Sequence, residues 1–345
     1  RGGGDYYLIS RTLGLEFGGA IGLVLFAAQS ISIAFYAIGF GEVVASLSGW
    51  ESDWAVRGIA FVALAALFSL AWAGADVATR FQYVVMALLV LALVSFYFGA
   101  FGEFDSTVLS DSWSASADSI GFWAAFAIFF PAVTGFTQGV SMSGDLADPG
   151  RSLPRGTFLA VGISTVVYLS VAVLLAGGAP IEVLALDDGA VMRDLAAVGA
   201  LVGLGVIAAT LSSSMASFLG APRILQSMAS DNVFPQLAPF AEGHGESNNP
   251  RRAVLLSAGI AVLTVMLGSV NLIAPIVSMF FLISYGLINY ATFYEARASS
   301  PSFRPRFRWF SKWASLAGAA LCAGAMFAIN PLAGAAAVLV MFGVY

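Results

Sequence analysis

The feature that most constrains the fold of this chain is a series of long stretches that contain no Asp, Glu, Lys or Arg. A helix that crosses a bilayer needs about 20 apolar residues, and each stretch can supply at least one. Only 10% of the residues are charged, too few to cover the surface of a water-soluble domain. The sequence therefore predicts an integral membrane protein. The stretches are 17–41, 58–75, 81–102, 119–144, 156–181, 195–222, 253–294 and 313–345.

Two of these stretches are long enough to hold two helices each. As one helix, the stretch 253–294 would measure roughly 63 Å, about twice the thickness of a membrane, and it has a natural break at 268–271. Asn330-Pro331 divides the last stretch, because proline lacks the N–H that a continuing helix needs. The sequence thus predicts one all-α transmembrane domain, 1–345. Its ten predicted spans are about 17–41, 56–75, 81–102, 119–143, 156–178, 195–220, 252–268, 272–295, 313–329 and 332–345.

The basic residues indicate which ends of the spans face the cytoplasm. If the loops alternate between the two sides, 13 of the 15 basic residues fall on one side, and only Arg57 and Arg193 fall on the other. Lys and Arg are enriched in cytoplasmic loops. Residues 1–16 and 296–312 are therefore predicted to be cytoplasmic, and the predicted location is the plasma membrane.

Charge and cysteine content exclude several classes of function. A net charge of −5 leaves no basic surface for nucleic acid. The single cysteine, Cys322, cannot form an internal disulfide or a cysteine metal cluster. No nucleophile–base pair lies in or near the spans, so we expect neither an enzyme nor a cofactor. Because the stretches hold no charge, a binding site inside them must use carbonyls, hydroxyls and helix ends.

The stretch 119–144 carries helix breakers at the middle of its predicted span. Pro131 and Gly135 lie close together there, followed by Phe136 and Thr137. A helix broken at this depth is tolerated where it lines a cavity. The first half would end with carbonyls that suit a cation, and the second would begin with N–H groups that suit an anion. The alternative is a plain proline kink in which Thr134 bonds a freed carbonyl.

Hydroxyl groups in three other spans are further candidates for a site. Ala209, Ser212 and Ser213 lie at i, i+3 and i+4, so one helix face presents oxygen atoms that could bind sodium. The alternative is that these serines bond back to their own helix. Tyr36 and Tyr285 each place a phenol in mid-membrane, where its hydroxyl needs a partner. Either tyrosine could instead be hydrogen-bonded within the core.

Several motifs together resemble the cation–chloride cotransporters of the amino acid–polyamine–organocation superfamily, over essentially the whole chain. Residues 1–14 look like that family's approach to its third helix, and 129–135 look like its broken sixth helix. Residues 143–149, 220–226 and 231–235 are similar to its cytoplasmic loops. The resemblance implies a LeuT-like inverted-repeat fold that works by alternating access. It also implies family helices three to twelve here, with the first two helices and a carboxy-terminal cytoplasmic domain outside this chain.

The resemblance also implies a role for each candidate residue. Potassium would be held by Tyr36, Pro131 and Thr134, and sodium by Ala209, Ser212 and Ser213. Chloride would rest on Gly135, Phe136, Thr137 and Tyr285, although Thr137 stands where the family would have an aliphatic residue. The family's first helix would supply further ligands, so this chain alone would not complete the sites.

Because it has both Tyr36 and Ser213, the chain resembles the sodium–potassium–chloride type of the family. Symport of these three ions is therefore the expected function. One alternative is a sodium-coupled amino acid permease, whose cargo carboxylate would occupy the amides at Gly135. Others are a sodium-independent potassium–chloride cotransporter and a membrane subunit that does not transport. The expected partners are membrane lipid and small inorganic ions, with a homodimer implied by the resemblance alone.

Overall fold

The structure is a computed structural model that describes residues 4–12, 14–50, 52–73, 76–112, 120–137, 148–186, 190–245, 248–298, 310–332 and 334–335. In these ranges the chain is almost wholly helical, and an isolated bridge between His244 and Asn249 is the β-type pairing present. The all-α class predicted from the sequence is confirmed. The helices are α1 Gly4–Thr12, α2 Leu15–Ser48, α3 Asp53–Ala73, α4 Asp76–Gly102, α5 Ser106–Ser112, α6 Phe122–Phe129, α7 Pro149–Gly178, α8 Ile181–Leu186, α9 Ala190–Asp194, α10 Gly199–Ser230, α11 Arg251–Leu267, α12 Val270–Ala298 and α13 Lys312–Ile329.

Seven of the helices in the described ranges are long and apolar enough to cross a membrane, namely α2, α3, α4, α7, α10, α12 and α13. The predicted spans 119–143 and 252–268 contain shorter helices, α6 and α11. The break expected at 268–271 separates α11 from α12, and α13 ends at Ile329, directly before Asn330. Most of the predicted span 332–345 lies outside the described residues.

Several helices extend beyond the charge-free stretches from which they were predicted. Helix α2 continues to Ser48 and so includes Glu42. A Glu42 carboxylate oxygen accepts a hydrogen bond of 3.4 Å from the backbone N–H of Val270, the first residue of α12. A carboxylate at a helix N-terminus is favourable, because the first N–H groups have no partner within the helix. This hydrogen bond explains how the fold accommodates the acidic Glu42 near the end of a membrane span.

Helices α2 and α10 form the centre of the bundle and share its most extensive contact. Side chains from α2, α3, α10, α11 and α12 form one buried cluster, in which Ile33 and Phe218 are fully buried. The Ser214 hydroxyl on α10 donates to the Ile33 carbonyl on α2 over 3.0 Å. Hydroxyl-to-carbonyl bonds of this kind hold membrane helices together where no hydrophobic driving force acts. Helices α3, α4 and α12 pack on this pair.

Residues predicted to share the cytoplasmic side contact one another. A guanidinium nitrogen of Arg11 lies 3.3 Å from the Asp231 carboxylate, and the Tyr6 hydroxyl donates to the same carboxylate over 2.9 Å. Burial, reinforced by Asp231, raises the pKa of the Tyr6 hydroxyl, which therefore stays a proton donor. The Asn249 amide donates to the Trp72 carbonyl over 3.1 Å. These bonds join three segments that the alternation of loops assigns to one side.

Residues predicted to share the opposite side are also adjacent. The Arg193 guanidinium donates to the Ser46 hydroxyl over 3.0 Å. The Asp105 N–H donates to the Gly177 carbonyl over 2.9 Å, so the end of α4 is tied to the end of α7. The alternation of loops deduced from the spans is therefore consistent with the packing at both ends of the bundle.

Candidate ion-binding site

The predicted break in the 119–143 span is present. Helix α6 ends at Phe129, residues Phe130–Val133 form a tighter 3₁₀ turn, and Thr134 is extended, with φ −89° and ψ 175°. Gly135 has a φ of +88°, a backbone conformation that side chains with a Cβ rarely adopt. Pro131 contributes because it has no N–H to continue the helical hydrogen bonds. The second half-helix was expected after this point, and residues 138–147 lie outside the described residues.

Hydroxyl groups from neighbouring helices and from the turn itself bond the carbonyls around the break. Buried Ser278 on α12 donates to the Ala127 carbonyl over 2.6 Å. Tyr168 on α7 donates to the Ala132 carbonyl over 2.7 Å. The Pro131 carbonyl receives the Thr134 hydroxyl at 2.7 Å and the Thr134 N–H at 3.2 Å. The carbonyl groups of the irregular backbone therefore accept hydrogen bonds from several sides, as a non-helical segment at membrane depth requires.

Tyr168 and Ser278 were not among the residues singled out from the sequence. Each carries a hydroxyl group in the interior of a predicted span, and this was the sequence feature that could have identified it as part of the site. The same signal is shared by serines that only bond back to their own helix, such as Ser284, whose hydroxyl donates to the Phe280 carbonyl. A hydroxyl in a span therefore did not by itself distinguish the two roles.

The three potassium candidates form one contiguous group. The hydroxyl of Tyr36 on α2 lies within hydrogen-bonding reach of the Thr134 side chain. Thr134 in turn bonds the carbonyl of Pro131, which is buried. The group offers a phenol, a hydroxyl and a carbonyl, all uncharged oxygen atoms of the kind that hard cations prefer. Helix α2 supplies one side of the group and the broken helix supplies the other.

The chloride candidates Gly135 and Tyr285 are bonded directly. The Gly135 N–H donates to the Tyr285 hydroxyl over 3.1 Å, and the ring centroids of Phe136 and Tyr285 are 4.8 Å apart. Tyr285 lies on α12 and is 7% exposed. Thr137 is half-buried in the turn that follows Gly135. A backbone N–H that has left its helix is thus held beside a phenol, whose ring packs against that of Phe136.

The sodium candidates lie on one turn of α10, against α4. The Ser212 hydroxyl is buried and bonds the Gln82 side-chain oxygen on α4, while Ala209 and Ser213 are half-buried. Thr210, in the same turn, bonds back to the Val206 carbonyl over 2.8 Å. The hydroxyl of Thr210 therefore bonds back to its own helix, which is the alternative that the sequence left open for the serines. The hydroxyl of Ser212 bonds a neighbouring helix instead. Gln82 was not singled out from the sequence.

The described residues contain no group of three or more His, Cys, Asp or Glu side chains arranged to hold a metal ion. Around the break, the contacts given above come from hydroxyls, carbonyls and two N–H groups. This arrangement can bind small ions through the dipoles of its hydroxyl, carbonyl and N–H groups.

A sequence model of the amino acid permease family matches residues 1–345. The chain belongs to the amino acid permease family. That family implies a LeuT-like transporter fold and is a family of transporters rather than enzymes, in agreement with the expectations from the sequence.

Curated relatives refine the family assignment. The chain is 37% identical to solute carrier family 12 member 2 of Squalus acanthias over 96% of its own length and 32% of the relative's. It is 35% identical to member 1 from Mus musculus, over 96% of the chain and 35% of the relative. It is 34% identical to member 2 from Homo sapiens, over 100% of the chain and 33% of the relative. The chain thus spans about a third of the length of these relatives, and its resemblance to the cation–chloride cotransporters is confirmed.

Proposed function

We propose that this chain forms the core of a secondary active symporter that moves sodium, potassium and chloride together by alternating access, in the plasma membrane. The observation that carries the proposal is the 3.1 Å bond from the Gly135 N–H to the Tyr285 hydroxyl, beside a break in a membrane helix. An N–H released from its helix can donate to an anion, and a phenol can turn to donate to the same anion. Chloride would replace the phenol oxygen as the acceptor.

Potassium would bind on the other side of the same break. The Pro131 carbonyl, the Thr134 hydroxyl and the Tyr36 phenol are adjacent, and potassium would take the place of the hydrogen bond that now joins Thr134 to Pro131. The two ions would then share one turn of backbone, potassium near its carbonyls and chloride near its N–H. Each ion would lower the electrostatic energy of the other, because opposite charges a few ångströms apart attract strongly where water is scarce.

Sodium would bind at Ala209, Ser212 and Ser213, on the turn of α10 that packs on α4. The Ser212 hydroxyl points across to α4 and is not used by its own helix, so its oxygen is positioned toward a neighbouring element. Two cations and two chlorides make a neutral load, which suits a site built from uncharged groups. The presence of both Tyr36 and Ser213 supports the sodium–potassium–chloride type over the potassium–chloride type.

An amino acid permease is the second candidate, since the family model carries that description. In that case the carboxylate of the cargo would accept the Gly135 N–H. A cargo with a side chain would also need space beside Phe136, whose ring lies 4.8 Å from that of Tyr285. The close approach of these rings favours a small ion.

Uptake of radioactive rubidium, a potassium tracer, into vesicles that contain the full-length protein tests the proposal. We expect uptake that stops when either sodium or chloride is omitted and that needs no amino acid. Tyr36→Ala should weaken rubidium transport, and Ser213→Ala should weaken its dependence on sodium. Unchanged ion dependence in both variants would remove the site assignment, and uptake that requires an amino acid would support the permease instead.

A further inference from the structure

Helix α4 packs along α10, the helix that carries the sodium candidates, and two close contacts fix how they meet. Near the end of α4, the Ser95 hydroxyl donates to the Val198 carbonyl over 3.0 Å and accepts the Val198 N–H over 2.8 Å. Further back along α4, Ala92 faces Gly205, where an added Cβ would lie 2.5 Å from that of Ala92. Small residues allow membrane helices to approach this closely. Because position 95 meets 198 and position 92 meets 205, the two helices run in opposite directions.

The same antiparallel register brings the first part of α4 to the sodium candidates. Ser212 lies roughly 10 Å beyond Gly205 along α10, at 1.5 Å per residue. At this level the Gln82 side chain reaches across from α4, and its oxygen accepts the proton of the Ser212 hydroxyl. Ser212 is buried, whereas Gln82 is exposed. The contacts near the end of α4 therefore support the position of Gln82 beside Ser212.

The direction of this hydrogen bond decides what Ser212 can offer to a cation. A hydroxyl group has one proton and two lone pairs. While the Gln82 oxygen holds the proton, the lone pairs of the serine oxygen stay available to a positive ion. Without that acceptor, the proton would turn to a carbonyl of its own helix, as the Thr210 hydroxyl does toward Val206. The oxygen would then present its lone pairs in a different direction.

We infer that Gln82 is a positioning residue of the sodium site, which accepts the Ser212 proton and so holds the serine oxygen toward the ion. The inference rests on the proposed sodium site at Ala209, Ser212 and Ser213. Gln82 acts through Ser212 and does not itself need to touch sodium. The site is thereby extended from one turn of α10 to the neighbouring helix α4.

Sodium titration of rubidium uptake, with the full-length protein in vesicles, tests the inference. Gln82→Leu removes the acceptor and keeps a similar bulk at an exposed position. It should raise the half-saturating sodium concentration about threefold, less than the roughly fivefold expected of Ser212→Ala, because the serine oxygen remains. The maximal rate and the chloride requirement should stay at wild-type values. An unchanged sodium requirement in Gln82→Leu, with that of Ser212→Ala raised, would overturn this inference and leave the proposed function standing.

Two further variants separate positioning from simple packing of the helices. An ionised glutamate can only accept hydrogen bonds, and its charge attracts cations, so Gln82→Glu should keep the half-saturating sodium concentration at or below that of the wild type. Ser95→Ala breaks another bond between α4 and α10, and should lower thermal stability without changing the sodium requirement. A loss of sodium affinity in either variant as large as that in Gln82→Leu would contradict the positioning role.

The double variant Gln82→Leu/Ser212→Ala tests whether the glutamine acts through the serine. Residues that act through one shared hydrogen bond have non-additive effects. We therefore expect the half-saturating sodium concentration of the double variant to rise about fivefold, as in Ser212→Ala alone. A rise of about fifteenfold, the product of the two single effects, would show independent action and overturn the inference. An unchanged sodium requirement in Ser212→Ala would overturn both this inference and the proposed sodium site.

Discussion

The broken helix and the continuous helix α10 both carry candidate ligands, but they present them in different ways. At the break, the candidate ligands include N–H and carbonyl groups of the backbone itself. The Gly135 N–H donates to a phenol, and the carbonyls of Pro131 and Ala132 accept hydroxyls. On α10 the helix is continuous from Gly199 to Ser230, so its contribution comes chiefly from side chains such as that of Ser212.

This difference indicates how each region should respond to mutation. At the break, the position of the donors depends on a backbone conformation that few residues can adopt. On α10 the backbone geometry is that of an ordinary helix, so a substitution there removes one oxygen and leaves the rest in place. Changes of conformation at the break should therefore have larger effects than losses of single hydroxyls on α10.

Gly135→Ala should have the largest effect. Its φ of +88° would place alanine in a strained conformation, and strain of this kind costs about 1–3 kcal/mol. The N–H would then turn away from Tyr285, and chloride-dependent rubidium uptake should fall about tenfold or more. Titrating chloride in the uptake assay measures this. Gly259→Ala, in a regular helix with open space at the Cβ, serves as the control and should transport normally.

Tyr285→Phe sharpens the comparison, because it removes one hydroxyl and keeps the aromatic ring. The bond to Gly135 would be lost, while packing against Phe136 and Phe281 would remain. Hydrogen bonds to charged groups contribute about 1.5–3 kcal/mol, so the half-saturating chloride concentration should rise about tenfold. Tyr290→Phe, on the same helix but exposed, is the control. An unchanged chloride requirement in Tyr285→Phe would exclude this phenol as a ligand.

Ser212→Ala tests the continuous helix α10. Loss of one oxygen among several should raise the half-saturating sodium concentration about fivefold, because a single net hydrogen bond is worth about 1 kcal/mol. The chloride requirement should stay constant, since the backbone of the break is untouched. Thr210→Ala removes a hydroxyl that bonds within its own helix and should leave the sodium dependence unchanged. Equal effects of the two variants would contradict the assignment of Ser212.

Tyr168→Phe should have the smallest effect on transport. Its hydroxyl supports the Ala132 carbonyl and is not a proposed ligand, so the loss should appear as a stability change of about 1 kcal/mol. Thermal unfolding of the purified protein measures the change. Ion requirements should remain those of the wild type. A shift in the potassium requirement larger than that of Tyr36→Ala would instead make Tyr168 a ligand.

The parts of the fold that could be predicted are those that depend on local chemistry. Proline and glycine restrict or free the backbone wherever they occur, so Pro131 and Gly135 predicted the break from the sequence alone. The division at 268–271 followed from the length of a charge-free run and the thickness of a bilayer. The helix ends were less predictable, since Glu42 lies within α2 and is accommodated by the first N–H of α12.

The contacts between helices could not be predicted, because they depend on which faces meet. Ser212 bonds Gln82, and Ser278 bonds Ala127, across pairs of segments that are far apart in the chain. A hydroxyl in an apolar stretch has the same local sequence signal whether it bonds its own helix or a neighbour. For the candidate residues, the resemblance to a family therefore indicated roles that spacing alone left open.

The most direct test of the account is the location of the ions themselves. Crystals of the full-length protein grown with bromide and rubidium in place of chloride and potassium would give an anomalous signal at each ion. We expect a bromide peak within hydrogen-bonding distance of the Gly135 N–H and the Tyr285 hydroxyl. A rubidium peak should lie beside Tyr36, Pro131 and Thr134. Occupied ion peaks elsewhere, with none at the break, would contradict the central claim.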